Sequence, residues 1–241
     1  MCIRDSALAA RRILKDLEDT ESSIASRGSP SGMIKVTTAT AHSRLTIVPL
    51  LKEFLQRYPD IRIEIDVSDQ IRDVHAGHVD VAIRFGQLPD SGLHARRLGE
   101  TGRVVLASPE YLAKAGVPQT PADLTNHNCL DFSFRRLEPG WPFREDDQDY
   151  MLAVSGNVIA NNGETLVELA LQGIGITRVG RFHVQQALAT GQLVALLEEY
   201  NPQDREAIHA VFIGGHTMPA RIRVFVDYLV EKMTGTPKTA D

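Results

Sequence analysis

The chain has 241 residues, of which 43% are hydrophobic, and a formal net charge of −5. This length can bury a sizeable core in one large or two smaller domains. With 26 Lys and Arg against 31 Asp and Glu, the chain is not expected to bind the phosphate backbone of a nucleic acid by itself. No apolar run approaches about 18 residues and the start lacks the plan of a secretory signal, so we expect a cytoplasmic protein.

The first predicted element is a charged helix over residues 6–26 with a narrow apolar seam. The seam residues are Ala10, Ile13, Leu17, Thr20 and Ile24. Their alternating spacing of three and four is that of a short coiled coil, although a solvated amphipathic helix has the same pattern. A Gly-, Ser- and Pro-containing segment over 27–32 then predicts a hinge.

The next part of the chain alternates strands and helices. The pattern predicts strands over 34–39, 61–67 and 79–84, and helices over 42–58 and 71–76. Pro49 predicts a kink in the first helix or a later start for it. This βαβαβ order indicates a parallel sheet with right-handed crossovers.

Near residues 99–105 the chain is expected to enter a second unit. The pattern there predicts strands over 104–107, 129–133, 152–160 and 175–178, helices over 110–115, 121–126, 164–171 and 181–189, and a hairpin within 135–149. A strand over 208–213 and a helix over 220–233 are expected to return to the first unit. The chain would therefore cross twice between two α/β units.

Four short motifs follow one another along the chain. They read VDVAIR-x-G from Val79, L-x-ARRL from Leu93, LASPEYL from Leu106 and GIGI-x-R from Gly173. In this order they resemble the effector-binding region of LysR-type transcriptional regulators. The resemblance extends from about residue 8 to about residue 233.

The resemblance implies an α/β fold of two Rossmann-like lobes joined by two crossover segments. Such a fold is type 2 periplasmic-binding-protein-like and follows an N-terminal linker helix. The implied domains are a linker helix and hinge at 1–31, lobe I at 32–102 and 209–236, lobe II at 103–208, and a tail at 237–241. Residues 1–6 match nothing in the family and are interpreted as extraneous.

The resemblance also implies a function. Such a domain senses a small metabolite, here expected to be anionic, in the cleft between the lobes, and passes the signal through dimerisation and the linker helix. The chain is then expected to form a homodimer or tetramer. Regulators of this family begin with a winged helix-turn-helix, whereas this sequence begins inside the linker helix, so DNA is expected to be bound only through that preceding domain.

Ligands of open α/β sheets bind beyond the carboxyl ends of the strands, where a helix start offers free N–H groups. The hydroxyl-rich segment 37–43 is one such place, although Thr40 or Ser43 could simply cap the helix. Arg84 ends the third strand, where its guanidinium could bind an acidic effector. Alternatively, it stabilises the lobe by forming an ion pair with Asp80 or Asp66. The effector-binding residues expected on these grounds and from the resemblance are Thr38, Thr40, Ala41, His42, Ser43, Ser68, Arg84, Phe85, Gly86, Phe132, Asn161, Asn162, Thr177 and Arg178.

Apolar residues of the linker and of the first helix are expected to support self-association. The expected interface residues are Ala10, Ile13, Leu17, Ile24, Ile47 and Leu50. In the first helix, the residues expected to face the core are Leu45, Val48, Leu51, Phe54 and Leu55.

Other patterns carry no chemistry in our interpretation. His75 and His78 have H-x-x-H spacing without an acidic or Cys ligand arranged beside them, so no metal is expected. Cys129 is interpreted as a buried structural thiol rather than a redox switch. The acidic run 145–149 lacks the glycine and closing glutamate of a calcium loop and is expected to be a solvated turn.

No G-x-S-x-G elbow or recognisable triad is present in the sequence, so we expect neither an enzyme nor a cofactor. The alternative function is that of a solute-binding protein of a transporter, which would have the same two-lobe fold.

Overall fold

The computed structural model describes residues 29–67, 79–88, 92–133, 140–214 and 218–235. The helices predicted over 6–26 and 71–76 lie outside the described residues, and so does Ser68. The chain folds into two compact units. Unit 1 comprises Met1–Glu100 and Ala207–Asp241, and unit 2 comprises Thr101–Glu206.

Unit 1 contains a mixed sheet. Its strands are β1 (Gly32–Thr38), β2 (Ile61–Val67), β3 (Val81–Phe85), the first part of β4 (His94–Ala107) and the end of β11 (Arg205–Phe212). Their order across the sheet is β2-β1-β3-β11-β4. β1 pairs in parallel with both β2 and β3, which confirms the predicted parallel arrangement, whereas β11 is antiparallel to β3.

Two helices cover one face of this sheet and bury its main core. They are α1 (Val48–Arg57) and α5 (Ala220–Thr234). The ring of Phe54 lies 5.1 Å from the rings of both Phe225 and Tyr228, and the Tyr228 hydroxyl donates a hydrogen bond of 2.8 Å to the carbonyl of Leu50. Aromatic pairs at this spacing add to the stabilisation that burial alone provides.

A π-helical turn precedes α1. The chain is α-helical at Thr40–His42, π-helical at Ser43–Ile47, and then continues as α1. The N–H of Val48 donates to the carbonyl of Ser43, five residues back. Pro49 has no N–H to give to the carbonyl four residues before it, so the helix cannot keep regular α bonding here. The kink expected from Pro49 therefore takes the form of a widened turn.

The apolar faces of this helix differ from the prediction. Leu45, Val48 and Leu55 were expected in the core but are 39%, 50% and 38% exposed, and Phe54 and Ile47 are fully buried. The assignment of Ile47 to a self-association surface is therefore wrong, because its side chain lies in the core of unit 1. Apolar residues occur on every side of this helix, so their spacing could not select the buried side.

Unit 2 has its own sheet, in which β4 continues from unit 1. The other strands are β5 (Cys129–Phe132), β8 (Ile159–Ala160), β9 (Ile176–Gly180) and β10 (Val194–Leu196), and the order is β10-β4-β9-β5-β8. The α-helices are α2 (Pro109–Ala115), α3 (Gly163–Leu171) and α4 (Gln185–Ala189). Short 3₁₀ turns occur at Pro121–Asn126, Arg181–His183 and Glu198–Tyr200. The strand β10 was not predicted.

A separate hairpin completes unit 2. It consists of β6 (Trp141–Glu145) and β7 (Gln148–Leu152), with Asp146 and Asp147 in the left-handed region at its tip. The acidic run therefore forms a solvated turn, as predicted. The hairpin extends further along the chain than the expected 135–149.

The strand predicted over 152–160 is wrong, because only Ile159–Ala160 pairs as a strand beyond the hairpin. At Gly156 the chain passes so close to β5 that a Cβ would lie 2.1 Å from the carbonyl oxygen of Cys129. Only glycine permits such an approach, which replaces regular strand geometry with a loop.

Cys129 is buried, and its Sγ contacts the carbonyl of Leu124 at 3.5 Å. Burial raises the pKa of this thiol to about 12. Burial disfavours the thiolate, and the buried position of Cys129 agrees with the prediction of a structural residue. No helix in the described part of the chain is long and apolar enough to cross a membrane.

Candidate functional site

The connection from β1 into the first helix brings three predicted site residues together. The Thr38 hydroxyl lies 3.2 Å from Nδ1 of His42, and the His42 ring meets the Phe85 ring edge-on at 5.1 Å. His42 is almost completely buried. These contacts fix the helix start against the carboxyl end of β3.

The start of this helix has no side-chain cap within the described residues. Its N-cap is Ala39, with extended backbone angles, and the first turn contains no acidic residue. Ser43 lies inside the helix, where its N–H donates to the Ala39 carbonyl at 2.8 Å. The first-turn N–H groups therefore point to a position that favours negative charge. Thr40 is half-buried at this position, and Ala41 and Ser43 are buried.

Arg84 and Phe85 lie on opposite faces of the sheet of unit 1, because successive side chains of a strand alternate. Phe85 packs on the side of His42. Arg84 lies directly opposite His209 in the register of the neighbouring antiparallel strand β11. Arg84 is half-buried, and burial lowers the pKa of its guanidinium. The Asp80 carboxylate accepts a hydrogen bond of 2.9 Å from the N–H of Lys35.

Gly86 follows with φ of +80° and continues the ladder, donating from its N–H to the carbonyl of Ala207 at 2.9 Å. A glycine at this position lets the chain turn away directly after Arg84 and Phe85.

Among the described residues of unit 1, Oγ1 of Thr37 and Nδ1 of His209 are buried without a hydrogen-bond partner. Buried polar atoms are nearly always paired in folded proteins, so each exception calls for an explanation. Sequence reasoning placed Thr37 in a hydroxyl-rich segment without singling it out. It missed His209, because one histidine within an apolar strand gives no signal.

The predicted residues of unit 2 have structural partners. Asn162 is the N-cap of α3, and its Oδ1 accepts a hydrogen bond of 2.8 Å from the N–H of Thr165. Its Nδ2 donates to Oδ1 of Asn161 at 3.0 Å. The capping role considered for Asn162 is therefore present in the structure.

Thr177 and Arg178 in β9 are similarly engaged. The Thr177 hydroxyl donates to the Leu130 carbonyl at 3.0 Å, and the guanidinium of Arg178 is paired with Asp204. Burial lowers the pKa of Arg178, although the Asp204 carboxylate acts in the opposite direction. Phe132 packs against the apolar core of unit 2.

Among the described residues, no group of three His, Cys, Asp or Glu side chains could hold a metal ion. His75 and His78 lie outside the described residues.

Comparisons with known proteins place these features in a family. The family described as "LysR substrate binding domain" matches residues 27–234. The transcriptional regulator CrgA of Neisseria meningitidis is 36% identical over 229 residues, which are 93% of this chain and 75% of that protein. The regulator DmlR of Escherichia coli is 30% identical over 222 residues, covering 91% of this chain and 72% of that protein.

Solved structures agree with the sequence matches. The CrgA regulatory domain from Neisseria meningitidis has a TM-score of 0.79 and 35% sequence identity, covering 85% of this chain and 100% of that one. The type 2 periplasmic-binding-protein-like fold expected from the sequence is therefore confirmed. These relatives are all transcriptional regulators, so the alternative of a transporter's solute-binding protein is not favoured.

Proposed function

This chain belongs to the family of LysR-type transcriptional regulators, as a substrate-binding domain, and we propose that it senses a small anionic metabolite at the helix start after β1. Regulators of this family bind small-molecule effectors and act as oligomers. We place the effector's anionic group at the first-turn N–H groups, beside Thr40 and Ser43. As a regulator acting on DNA, the protein would work in the cytoplasm.

The observation that carries this proposal is the alanine at the N-cap. Ser, Thr, Asp and Asn are the usual N-cap residues, and each provides an oxygen for the first-turn N–H groups. Ala39 has no such oxygen. An anionic ligand can supply it, and the positive end of the helix dipole favours the charge.

Substitution of Ala39 tests the proposed site by introducing the N-cap side chain that the helix lacks. Ala39→Asp places a carboxylate where the effector's anionic group would lie, and Ala39→Asn is the matched neutral cap. Calorimetry with acetate, succinate, benzoate and sulfate would measure binding to each variant and to the parent chain. We expect Ala39→Asp to weaken binding of the anions by tenfold or more and Ala39→Asn to weaken it less. Equal affinities of the parent and Ala39→Asp would contradict the site.

Self-association is proposed to involve the exposed apolar side of α1 and the turn before it. Leu45, Val48 and Leu55 are the exposed apolar residues there, and Leu50 is half-buried beside them. Most oligomers of one chain are closed and two-fold symmetric, so one such surface can serve both subunits. Ala10, Ile13, Leu17 and Ile24 remain a prediction for the linker.

Sedimentation in the analytical ultracentrifuge measures this self-association directly. At tens of micromolar the parent chain is expected to sediment as a dimer or larger, and Val48→Lys to shift it towards monomer. The matched control is Val117→Lys, which alters a comparably exposed valine of unit 2. A strictly monomeric parent chain would exclude the proposed association.

Recognition of DNA bases is proposed to belong to a domain other than the one described. The chain has a net charge of −5, so any contact with phosphate should be weak, nonspecific and sensitive to salt. A gel-shift assay at near-physiological salt should show no specific retention of the regulator's own promoter DNA. Specific retention by these 241 residues would contradict this assignment.

A further inference from the structure

The helix that follows β1 buries residues whose spacing does not fit a regular α-helix. Phe54, Ile47 and His42 are all buried. Phe54 and Ile47 are seven residues apart, which is close to two full α-helical turns, so both lie on one side of the helix. Ile47 and His42 are five residues apart, and in an α-helix two such side chains point about 140° away from each other. A regular helix would therefore turn His42 away from the buried side.

The π-helical turn at Ser43–Ile47 restores His42 to that side. In a π turn each N–H donates to the carbonyl five residues back, so residues five apart lie on the same side of the helix. The His42 ring accordingly meets the Phe85 ring at 5.1 Å, and its Nδ1 lies 3.2 Å from the Thr38 hydroxyl. The contacts that hold the helix start against the sheet of unit 1 thus depend on the π turn.

Pro49 opposes the return of this turn to α-helical geometry. The N–H of Val48 donates to the carbonyl of Ser43, five residues back. In an α-helix, the ring of Pro49 would lie against the carbonyl of Leu45, four residues back, and the two groups would clash. A widened turn relieves that clash, so the proline favours the π form over the α form.

We infer that Pro49 is a positioning residue. By holding the turn in the π form, it places His42 on the sheet and fixes the first-turn N–H groups at which the anionic group of the effector would bind. The inference rests on the proposed anion site at this helix start and adds what orients that site. Pro49 is exposed and lies beyond the π turn, in α1, so its substitution acts through the backbone. Such turns within α-helices are frequent at functional sites.

Crystal structures and calorimetry of Pro49→Ala, made in the 241-residue chain, test this inference. Alanine has a backbone N–H and no ring, so it allows α-helical bonding at this position. Pro49→Val does the same with a side chain closer in size to proline. The matched control is Pro59→Ala, because Pro59 is also exposed and follows the end of α1. Thermal melting establishes that each variant folds.

Both Pro49 variants are expected to lose the π turn. The N–H of Val48 should then donate to the carbonyl of Arg44, four residues back, and the His42 ring should leave Phe85. Binding of acetate, succinate, benzoate or sulfate should weaken by about fivefold, because only a fraction of the molecules keeps the competent helix start. Pro59→Ala should bind these anions as the parent chain does.

A double variant separates positioning through His42 from a general loss of stability. His42→Gln removes the ring that packs on Phe85 and should weaken anion binding by a similar factor. If Pro49 acts through His42, adding Pro49→Ala to His42→Gln should weaken binding no further than His42→Gln alone. Additive losses would contradict this path of action.

The inference is wrong if Pro49→Ala keeps both the bond from Val48 to Ser43 and the contact of His42 with Phe85. It is also wrong if this variant loses both contacts and still binds the anions as the parent does. A parent chain that binds none of the four anions would reject the proposed function instead. The two crystal structures would in that case still decide whether Pro49 sets the position of His42.

Discussion

The two units differ in how their buried polar side chains are satisfied. In unit 2, Thr177 donates to a strand carbonyl and Arg178 is paired with Asp204. In unit 1, Thr37 and His209 each have a buried polar atom without a partner.

Polar side chains that have partners stabilise the fold, whereas those without partners are candidates for contact with a ligand. A buried hydrogen bond contributes to stability, whereas a buried polar atom without a partner reduces it. Equivalent substitutions should therefore lower stability in unit 2 and leave it unchanged or raised in unit 1.

The largest effect is expected at the ion pair of unit 2. Asp204→Asn leaves the buried guanidinium of Arg178 without its counter-charge. Breaking a fully buried pair costs about 3–5 kcal/mol. Since the Asp204 side chain is 39% exposed, we expect a smaller loss of about 2 kcal/mol in the free energy of unfolding, measured by denaturant titration.

The control for this prediction is Asp227→Asn, which removes an exposed pair with Arg96. It should change stability by less than about 0.5 kcal/mol. Equal effects of the two substitutions would show that Arg178 is not stabilised by Asp204.

A matched pair of threonines gives the next largest effect. Thr177→Val removes the side-chain hydrogen bond to the Leu130 carbonyl and should lower the free energy of unfolding by about 1 kcal/mol. Thr37→Val removes a hydroxyl that has no partner, so stability should stay the same or rise by up to about 1 kcal/mol. Chemical denaturation of both variants measures the contrast, and a comparable loss in Thr37→Val would break it.

The smallest effect is expected at the two helix starts. Asn162→Ala removes a cap and should cost about 1 kcal/mol in the free energy of unfolding. Ala39→Asn adds a cap and should stabilise the chain by about 0.5 kcal/mol. If Ala39→Asn destabilises the chain as much as Asn162→Ala does, the start after β1 is already satisfied.

Local patterns predicted the fold well where they were unambiguous. The strand Ile61–Val67 alternates apolar and charged residues and was placed at its observed bounds. Ser108 followed by Pro109 marked the start of α2, where Ser108 accepts a hydrogen bond from the N–H of Tyr111. The motifs identified the family.

The predictions that were wrong concern features that tertiary contacts determine. No spacing could tell that Ile47 rather than Val48 faces the core, because both are apolar and the helix is widened between them and residue 43. The loop at Gly156 is fixed by its approach to Cys129, which lies far away in sequence.

The candidate site was predictable only in part. The helix start after β1 follows from the order of elements, and the hydroxyl-rich segment marks it. The pairing of Arg84 with His209 joins residues 125 positions apart, through a strand that returns from unit 2. That register depends on the folded sheet, so the sequence gives no sign of it.

An anionic ligand bound at the helix start after β1 should perturb the backbone amides of that segment. The most direct measurement is a titration of the isotope-labelled chain with isobutyrate, benzoate and succinate, followed by amide chemical shifts. Saturable shifts are expected at Thr40 and Ser43 of unit 1. Shifts confined to unit 2, or none with any of the three acids, would contradict binding at the helix start after β1.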